Sequence, residues 1–175
     1  MAVIEAIATT YLEADAATVT FSSIPATYEH LQLRVSSHDT YDATWDVLYA
    51  QFNDDSGTNY SYHYMEGYSG ANSGAGGGTG KTHAWLGKAE GSFGATLATT
   101  YGVLVVDILD YANTNKNTTT QALSMVVDPR PTNIVHLSST LWDDTSAVNK
   151  IVFYPIYSSA FVRGTTFSLY GLNSS

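Results

Sequence analysis

The chain has 175 residues, 44% of them hydrophobic, with thirteen tyrosines and only 13% charged side chains, which is enough apolar material for a single packed domain spanning residues 1–175. Seven Lys and Arg against sixteen Asp and Glu leave a formal net charge of -9. This argues against nucleic acid as a partner, because affinity for a phosphate backbone is supplied by clustered basic side chains. There is no cysteine, so disulfides and thiolate metal sites are excluded, and the longest apolar run, residues 103–106, is far short of a membrane span.

In chain order, period-two alternation recurs where helical periodicity does not. Residues 3–9 read as a first strand, followed by 17–21, where Ala17, Val19 and Phe21 share a face. In residues 28–37, Leu31, Leu33 and Val35 alternate with His30, Gln32 and Arg34, placing one set in a core and the other in water. Trp45, Val47 and Tyr49 repeat the pattern, and strands are expected at 60–65, 82–88, 102–111, 121–127, 133–141, 150–157 and around Phe167 and Leu169. Eleven short strands between turn-rich segments, with abundant Ser, Thr, Gly and Asn weakening any helix, predict an all-β chain. The architecture expected is a jelly-roll-like antiparallel β-sandwich with little or no helix.

Turn chemistry punctuates the strands. Asn53-Asp54-Asp55-Ser56-Gly57 joins side chains that bond their own backbone to a glycine tolerant of positive φ, and both prolines of Asp128-Pro129-Arg130-Pro131 lack the ladder donor, so both segments are expected as loops. Residues 66–80 collapse to Gly, Ser, Ala and Asn. With too little apolar area to repay ordering, they read as a Gly-rich mobile loop or an arm ordered by a neighbour.

That segment contains a chemical lure. Ala75-Gly76-Gly77-Gly78-Thr79-Gly80-Lys81-Thr82 matches a relaxed phosphate-binding loop, and Val103-Leu104-Val105-Val106-Asp107 resembles the apolar strand whose Asp assists Mg²⁺. Such a site requires a buried strand running into the loop and a helix whose N-terminal amides receive the phosphates. Polar, glycine-rich flanks and the short interval between the motifs provide neither, so no nucleotide cofactor is assigned.

Asp39, Asp42, Asp46, Asp54 and Asp55 surround one expected hairpin and offer hard oxygen ligands of the kind Ca²⁺ takes, but their spacing matches no calcium loop and Asp is an ordinary turn former, so no metal is assigned. His30, His38, His63, His83 and His136 fall mostly on alternating strand positions and read as surface or edge residues. There is no Gly-x-Ser-x-Gly elbow, and Ser and Asp are too abundant for any triple to be informative. A non-enzymatic module with no catalytic residue is expected.

Tyr60, Tyr62 and Tyr64 share one face of a strand, where they either form a sugar-stacking platform or pack against a neighbouring strand or subunit, the commoner use of cross-strand aromatics. With Tyr68 and Asn72 they are the candidate partner contacts.

Four blocks carry a resemblance across nearly the whole chain. They are Thr20-Phe21-Ser22-Ser23-Ile24-Pro25-Ala26-Thr27-Tyr28-Glu29-His30-Leu31-Gln32-Leu33, then Phe52-Asn53-Asp54-Asp55-Ser56-Gly57-Thr58-Asn59-Tyr60-Ser61-Tyr62-His63, Asp107-Ile108-Leu109-Asp110-Tyr111-Ala112-Asn113-Thr114-Asn115-Lys116 and Phe167-Ser168-Leu169-Tyr170-Gly171-Leu172. Together they resemble small virion structural proteins of tailed bacteriophages, whose members serve in head decoration, tail and fibre roles. The resemblance implies a jelly-roll-like sandwich and, for decoration members, trimeric knobs on the capsid. The sequence departs from that pattern at residues 66–80 and at Asp128-Pro129-Arg130-Pro131.

The expectation is therefore a virion protein, made in the host cytoplasm, that cements the outer capsid. Its partners would be the major capsid protein and itself as a homotrimer, with no nucleic acid and no membrane. No coiled-coil or collagen-like shaft precedes the domain, which favours decoration over a fibre tip. The alternative is a tail or head-fibre module binding a host receptor or glycan. Residues 1–12, the Gly-rich segment and the tyrosine face are the expected interfaces.

Overall fold

The computed structural model describes residues 3–70, 72–93, 99–127 and 133–174, and among these every regular element is a β-strand. There are twelve: β1 (Val3–Tyr11), β2 (Val19–Phe21), β3 (His30–Ser37), β4 (Trp45–Phe52), β5 (Tyr60–Tyr68), β6 (Ser73–Lys81), β7 (Ala84–Glu90), β8 (Gly102–Leu109), β9 (Thr118–Val126), β10 (Ile134–Trp142), β11 (Ile151–Pro155) and β12 (Thr166–Asn173). An eight-stranded sheet in the order β1-β12-β3-β8-β9-β10-β5-β6 faces a four-stranded sheet, β2-β11-β4-β7. Every ladder between named strands is antiparallel. The chain passes repeatedly from one sheet to the other, and the expected all-β sandwich is the fold.

The alternation read in the sequence is the alternation in space. Leu31, Leu33 and Val35 point inward from β3, Leu104, Val106 and Ile108 from β8, and Leu48, Ala50 and Phe52 meet them from β4. This layer of apolar side chains, several kcal/mol of burial for each large pair at about 25 cal/mol per Å², is what holds the sheets together. Gly87 of β7 packs tightly against β8 and β9. A Cβ there would lie 2.7 Å from Ser124 Oγ and 2.8 Å from Leu104 Cδ1, so only glycine fits.

Eleven of the twelve strands coincide with the sequence reading. The exception corrects it: residues 66–80 are not a mobile loop, because β5 runs on to Tyr68 and Ser73–Lys81 forms β6, the edge of the large sheet. The glycines are the reason the strand packs. Tyr64 pairs with Gly76 and Tyr62 with Gly78, and a Cβ on Gly76 would lie 2.8 Å from Tyr64 Oη, one on Gly78 3.2 Å from Tyr62 Cε1. The tyrosine rings supply the cover the glycines lack, which is how aromatic neighbours rescue glycine in a strand.

The turn at residues 53–57 is present, with its positive φ at Asn53 (53°) and Asp54 (59°) and not at the glycine. Phe52 O accepts from Asp55 N at 2.9 Å, and both central residues are in the left-handed region that suits a tight hairpin-type turn. The expected loop at Asp128-Pro129-Arg130-Pro131 lies outside the described residues.

Candidate functional surfaces

The residues singled out in the sequence separate into a core set and a surface set. Tyr60 is 1% exposed. Its hydroxyl donates to Asp55 O at 3.2 Å and accepts from Phe52 N at 3.1 Å, and its ring stacks on Trp142. It belongs to the core. Tyr62 and Tyr64 are half-buried and stack on Trp85 with centroids 4.6 Å and 5.5 Å apart, so of the two uses weighed for this face it is packing against a neighbouring strand that the structure shows. Tyr68 and Asn72 stay at the surface on either side of the β5–β6 turn.

The phosphate-loop match falls inside β6 and the bend after it. The segment is extended backbone covered by tyrosines, and it leads into β7 rather than a helix.

The five aspartates are not brought together, and no group of three or more metal-ligating side chains is found among the described residues. Asp54 pairs with Lys150, and Asp55 accepts from Gly57 N, Asn59 Nδ2 and Trp142 Nε1. Asp39 and Asp46 lie buried at the other end of β4 and clamp loops. Asp46 accepts from the amides of Val47, Tyr157 and Ser158 at 2.5–3.1 Å. Asp39 accepts from Tyr41 N at 2.9 Å; burial, with the Asp46 charge behind it, pushes its carboxyl up to about 8.

Two histidines overturn the surface reading. His38 is buried, with Nδ1 2.6 Å from Thr100 O and Nε2 2.7 Å from Ser92 Oγ. His136 is 0% exposed and belongs to a buried cluster that sequence spacing did not reveal. Glu66 Oε2 accepts from Lys88 Nζ at 2.8 Å and from His136 Nδ1 at 3.0 Å, and Glu66 Oε1 accepts from the Tyr68 hydroxyl. Lys88 Nζ also sits 3.4 Å from the Trp45 ring centroid. Burial raises the Glu66 carboxyl, but the three donors outweigh it and hold the group below its usual range; burial lowers both Lys88 and His136. The partners come from β5, β7 and β10, so only the folded sheets could disclose them.

The outer face of the large sheet is a second feature. Ladder pairing aligns Met65, Leu137, Leu123 and Val105 in one row across β5, β10, β9 and β8, and Val135, Met125 and Val103 in the next. All seven point away from the core and remain exposed, Met65 at 60% and Leu123 at 50%. Together they form a contiguous exposed apolar patch, the kind of surface that marks an interaction site. Beside them the glycine strand has few side chains, so the face dips into a hollow of about 580 Å³ lined by Met65, Val135, Leu137 and Ala75. The neighbouring row is polar: His63, Ser139, Gln121, Asp107 and Gln32. The sequence carried a signal for this face, since β8 and β10 are apolar in both phases of their alternation around Val103 to Val106 and Ile134 to Leu137.

The third feature lies at the end of the sandwich where Asp39 and Asp46 hold the loops. Tyr41, Ala43, Thr44, Trp45, Phe93 and Tyr157 line a cleft of about 440 Å³. The rings of Tyr41 and Tyr157 are 5.4 Å apart at 32°, and Tyr157 is 57% exposed. Of these aromatics only Trp45 stood out in the sequence, as a strand residue, because the others come from separate loops.

No protein-family model matches the chain, and no curated protein matches it. Among solved structures, the galectin LEC-6 of Caenorhabditis elegans is similar with a TM-score of 0.34 and 6% identity over 95% of this chain and 96% of that one.

Proposed function

We propose that this chain is a virion structural protein that decorates the outside of a bacteriophage capsid and stabilises the assembled shell. The observation that supports this reading best is the apolar outer face of the large sheet. A chain of net charge -9 repels other acidic surfaces, and this face, uncharged along both apolar rows from β5 to β8, is where close approach costs least. The blocks around Thr20-Phe21, Phe52-Asn53, Asp107-Ile108 and Phe167-Ser168 supply the link to phage virion proteins, and the sandwich fold agrees with what that resemblance implies.

The mechanism is mechanical. A protein that binds the assembled lattice and not its free subunits stabilises the lattice by mass action, and many copies acting together hold against internal pressure even when each contact is weak. Assembly into three-fold knobs multiplies those contacts.

Electron cryo-microscopy of the purified particle tests the proposal. Repeated density at three-fold or quasi-three-fold capsid positions, with β8, β9 and β10 turned toward the shell or toward a second copy, is the expected result. Density confined to the tail, or capsid-bound copies with that face in solvent, would overturn it.

A further inference from the structure

We propose that the cleft between Tyr41, Trp45, Phe93 and Tyr157 is a binding site for a neutral pyranose sugar. The inference goes beyond capsid attachment and does not depend on it, since the cleft lies at the loop end of the sandwich and the apolar patch on the outer face of the large sheet.

Three observations support it. First, the cleft is built and not incidental. The Tyr41 amide is held by Asp39 Oδ1 at 2.9 Å, and the Tyr157 and Ser158 amides by the Asp46 carboxylate at 2.8–3.1 Å. Burying two carboxyl groups is costly; here Asp46 is bonded to the Tyr157 and Ser158 amides, whereas Asp39 holds the Tyr41 amide through Oδ1 and its Oδ2 has no hydrogen-bond partner among the described residues. Second, the loops are locked to one another. Ser92 N donates to Tyr41 O at 2.7 Å, Phe93 N to Ala43 O at 3.2 Å and Gly91 N to Thr44 O at 3.0 Å. Gly91 presses so closely on the Ala43 carbonyl that no side chain fits there. A site fixed in advance spends little of its binding energy on ordering.

Third, the lining selects the ligand. Tyr157 leaves more than half of its surface in solvent and packs at a tilt against Tyr41, centroids 5.4 Å apart, so the pair offers the outward ring surface of Tyr157 and its hydroxyl edge rather than a slot between the rings. A pyranose has the complementary shape, a flat apolar C–H face edged by hydroxyls, and aromatic stacking plus hydroxyl hydrogen bonds is the chemistry this lining offers. The cleft, at about 440 Å³, is of the size of small-ligand sites. Asp42 stands in the same loop, the Asp46 carboxylate is bonded to the Tyr157 and Ser158 amides, and Lys88, whose Nζ sits 3.4 Å from the Trp45 ring centroid, is paired with Glu66, all within a chain of net charge -9. That field opposes phosphorylated, sialylated or uronic sugars and favours neutral ones.

The test is an NMR titration of the full chain with the methyl glycosides of glucose, galactose, mannose and N-acetylglucosamine, together with a neutral-oligosaccharide array and a choline control. The expected result is millimolar or tighter binding of at least one neutral sugar that shifts the Trp45 indole N–H. Tyr157→Ala and Tyr41→Phe should separate stacking from hydroxyl contributions: the first weakens binding about tenfold, the second by less, and the melting temperature of Tyr157→Ala stays at the parent value. No saturable binding of any neutral sugar, binding undiminished by Tyr157→Ala, or a preference for choline, which would make the cleft a cation cage, each overturns the proposal.

Discussion

Trp85 Nε1 donates to His136 Nε2 at 3.3 Å, and because an indole nitrogen can only donate, this one bond fixes the protonation of His136. Nε2 must be bare, so the proton sits on Nδ1, where it is donated to Glu66 Oε2 at 3.0 Å. His136 is thus a neutral imidazole that transmits the position of Trp85 to the carboxylate, and Lys88 is the only full positive charge in the triad.

The first prediction follows from that charge balance. Glu66→Gln leaves Lys88, 2.8 Å away and buried, without its anion, and should cost about 3 to 5 kcal/mol. Lys88→Met alone should cost a similar amount by stranding Glu66. The double variant removes both charges and should recover most of the loss, because two well-packed neutral side chains replace the pair at little net cost. Urea unfolding of the four proteins, analysed as a double-mutant cycle, measures the coupling; additive losses would mean the pair does not act as one unit.

A second prediction concerns Asp39. Its folded-state value of about 8 stands above the ordinary 3.8. The folded protein therefore keeps a proton that the unfolded chain releases between about pH 4 and pH 8, and the stability associated with this group falls as pH rises through that window. Asp39→Asn keeps the acceptor for the Tyr41 amide and has no proton to lose. It should be more stable than the parent at pH 8, with the advantage shrinking toward pH 4. Thermal unfolding across that range checks the sign; a variant advantage that grows toward acid would refute the assignment.

Gly76 supplies the third. Gly76→Val forces a branched side chain into the Tyr64 ring, 2.8 Å from where the Cβ would stand, and overpacking of this kind costs about 1 to 3 kcal/mol. Adding Tyr64→Ala should return part of that loss, since the obstructing ring is gone. If Gly76→Val is neutral, β6 does not lie under Tyr64 as described.

That strand also marks where the sequence stopped being legible. For β3 the information is local, since Leu31, Leu33 and Val35 state which side is buried; β9 and β10 alternate as strictly, but their inward side carries Thr118, Thr120, Ser124, His136 and Ser138 while Leu123, Met125, Val135 and Leu137 face out, so residue polarity there does not name the buried side. For β6 no residue between Ser73 and Gly80 states anything of the kind. Its side of the core is written twelve to sixteen residues earlier, in Tyr62 and Tyr64, and becomes readable only when the register Tyr62↔Gly78 and Tyr64↔Gly76 is known. The same holds for Glu66, Lys88 and His136, ordinary polar letters on strands until three strands bring them to one point. Tyr41, Phe93 and Tyr157 are separated by up to 116 positions, so no spacing rule could have grouped them.

The last prediction isolates the outer face. Leu123 sits mid-row between Leu137 and Val105 with half its surface in solvent, so Leu123→Asp places a charge in the middle of the apolar patch without touching the core. Stability should change by about 1 kcal/mol or less, as for exposed strand positions generally. If the chain attaches to a capsid as proposed, attachment should fail, because an interface core tolerates an unpaired carboxylate poorly. Ser139→Asp is the control: it puts the same charge on the same sheet face, in the polar row beside His63 and Gln121, and should attach like the parent. Adding each purified variant to particles stripped of this protein, then sedimenting the particles, reads both outcomes. Equal binding by Leu123→Asp and the parent would remove the apolar rows from the interface, whereas loss with both variants would show that charge alone, and not its position in the patch, blocks assembly.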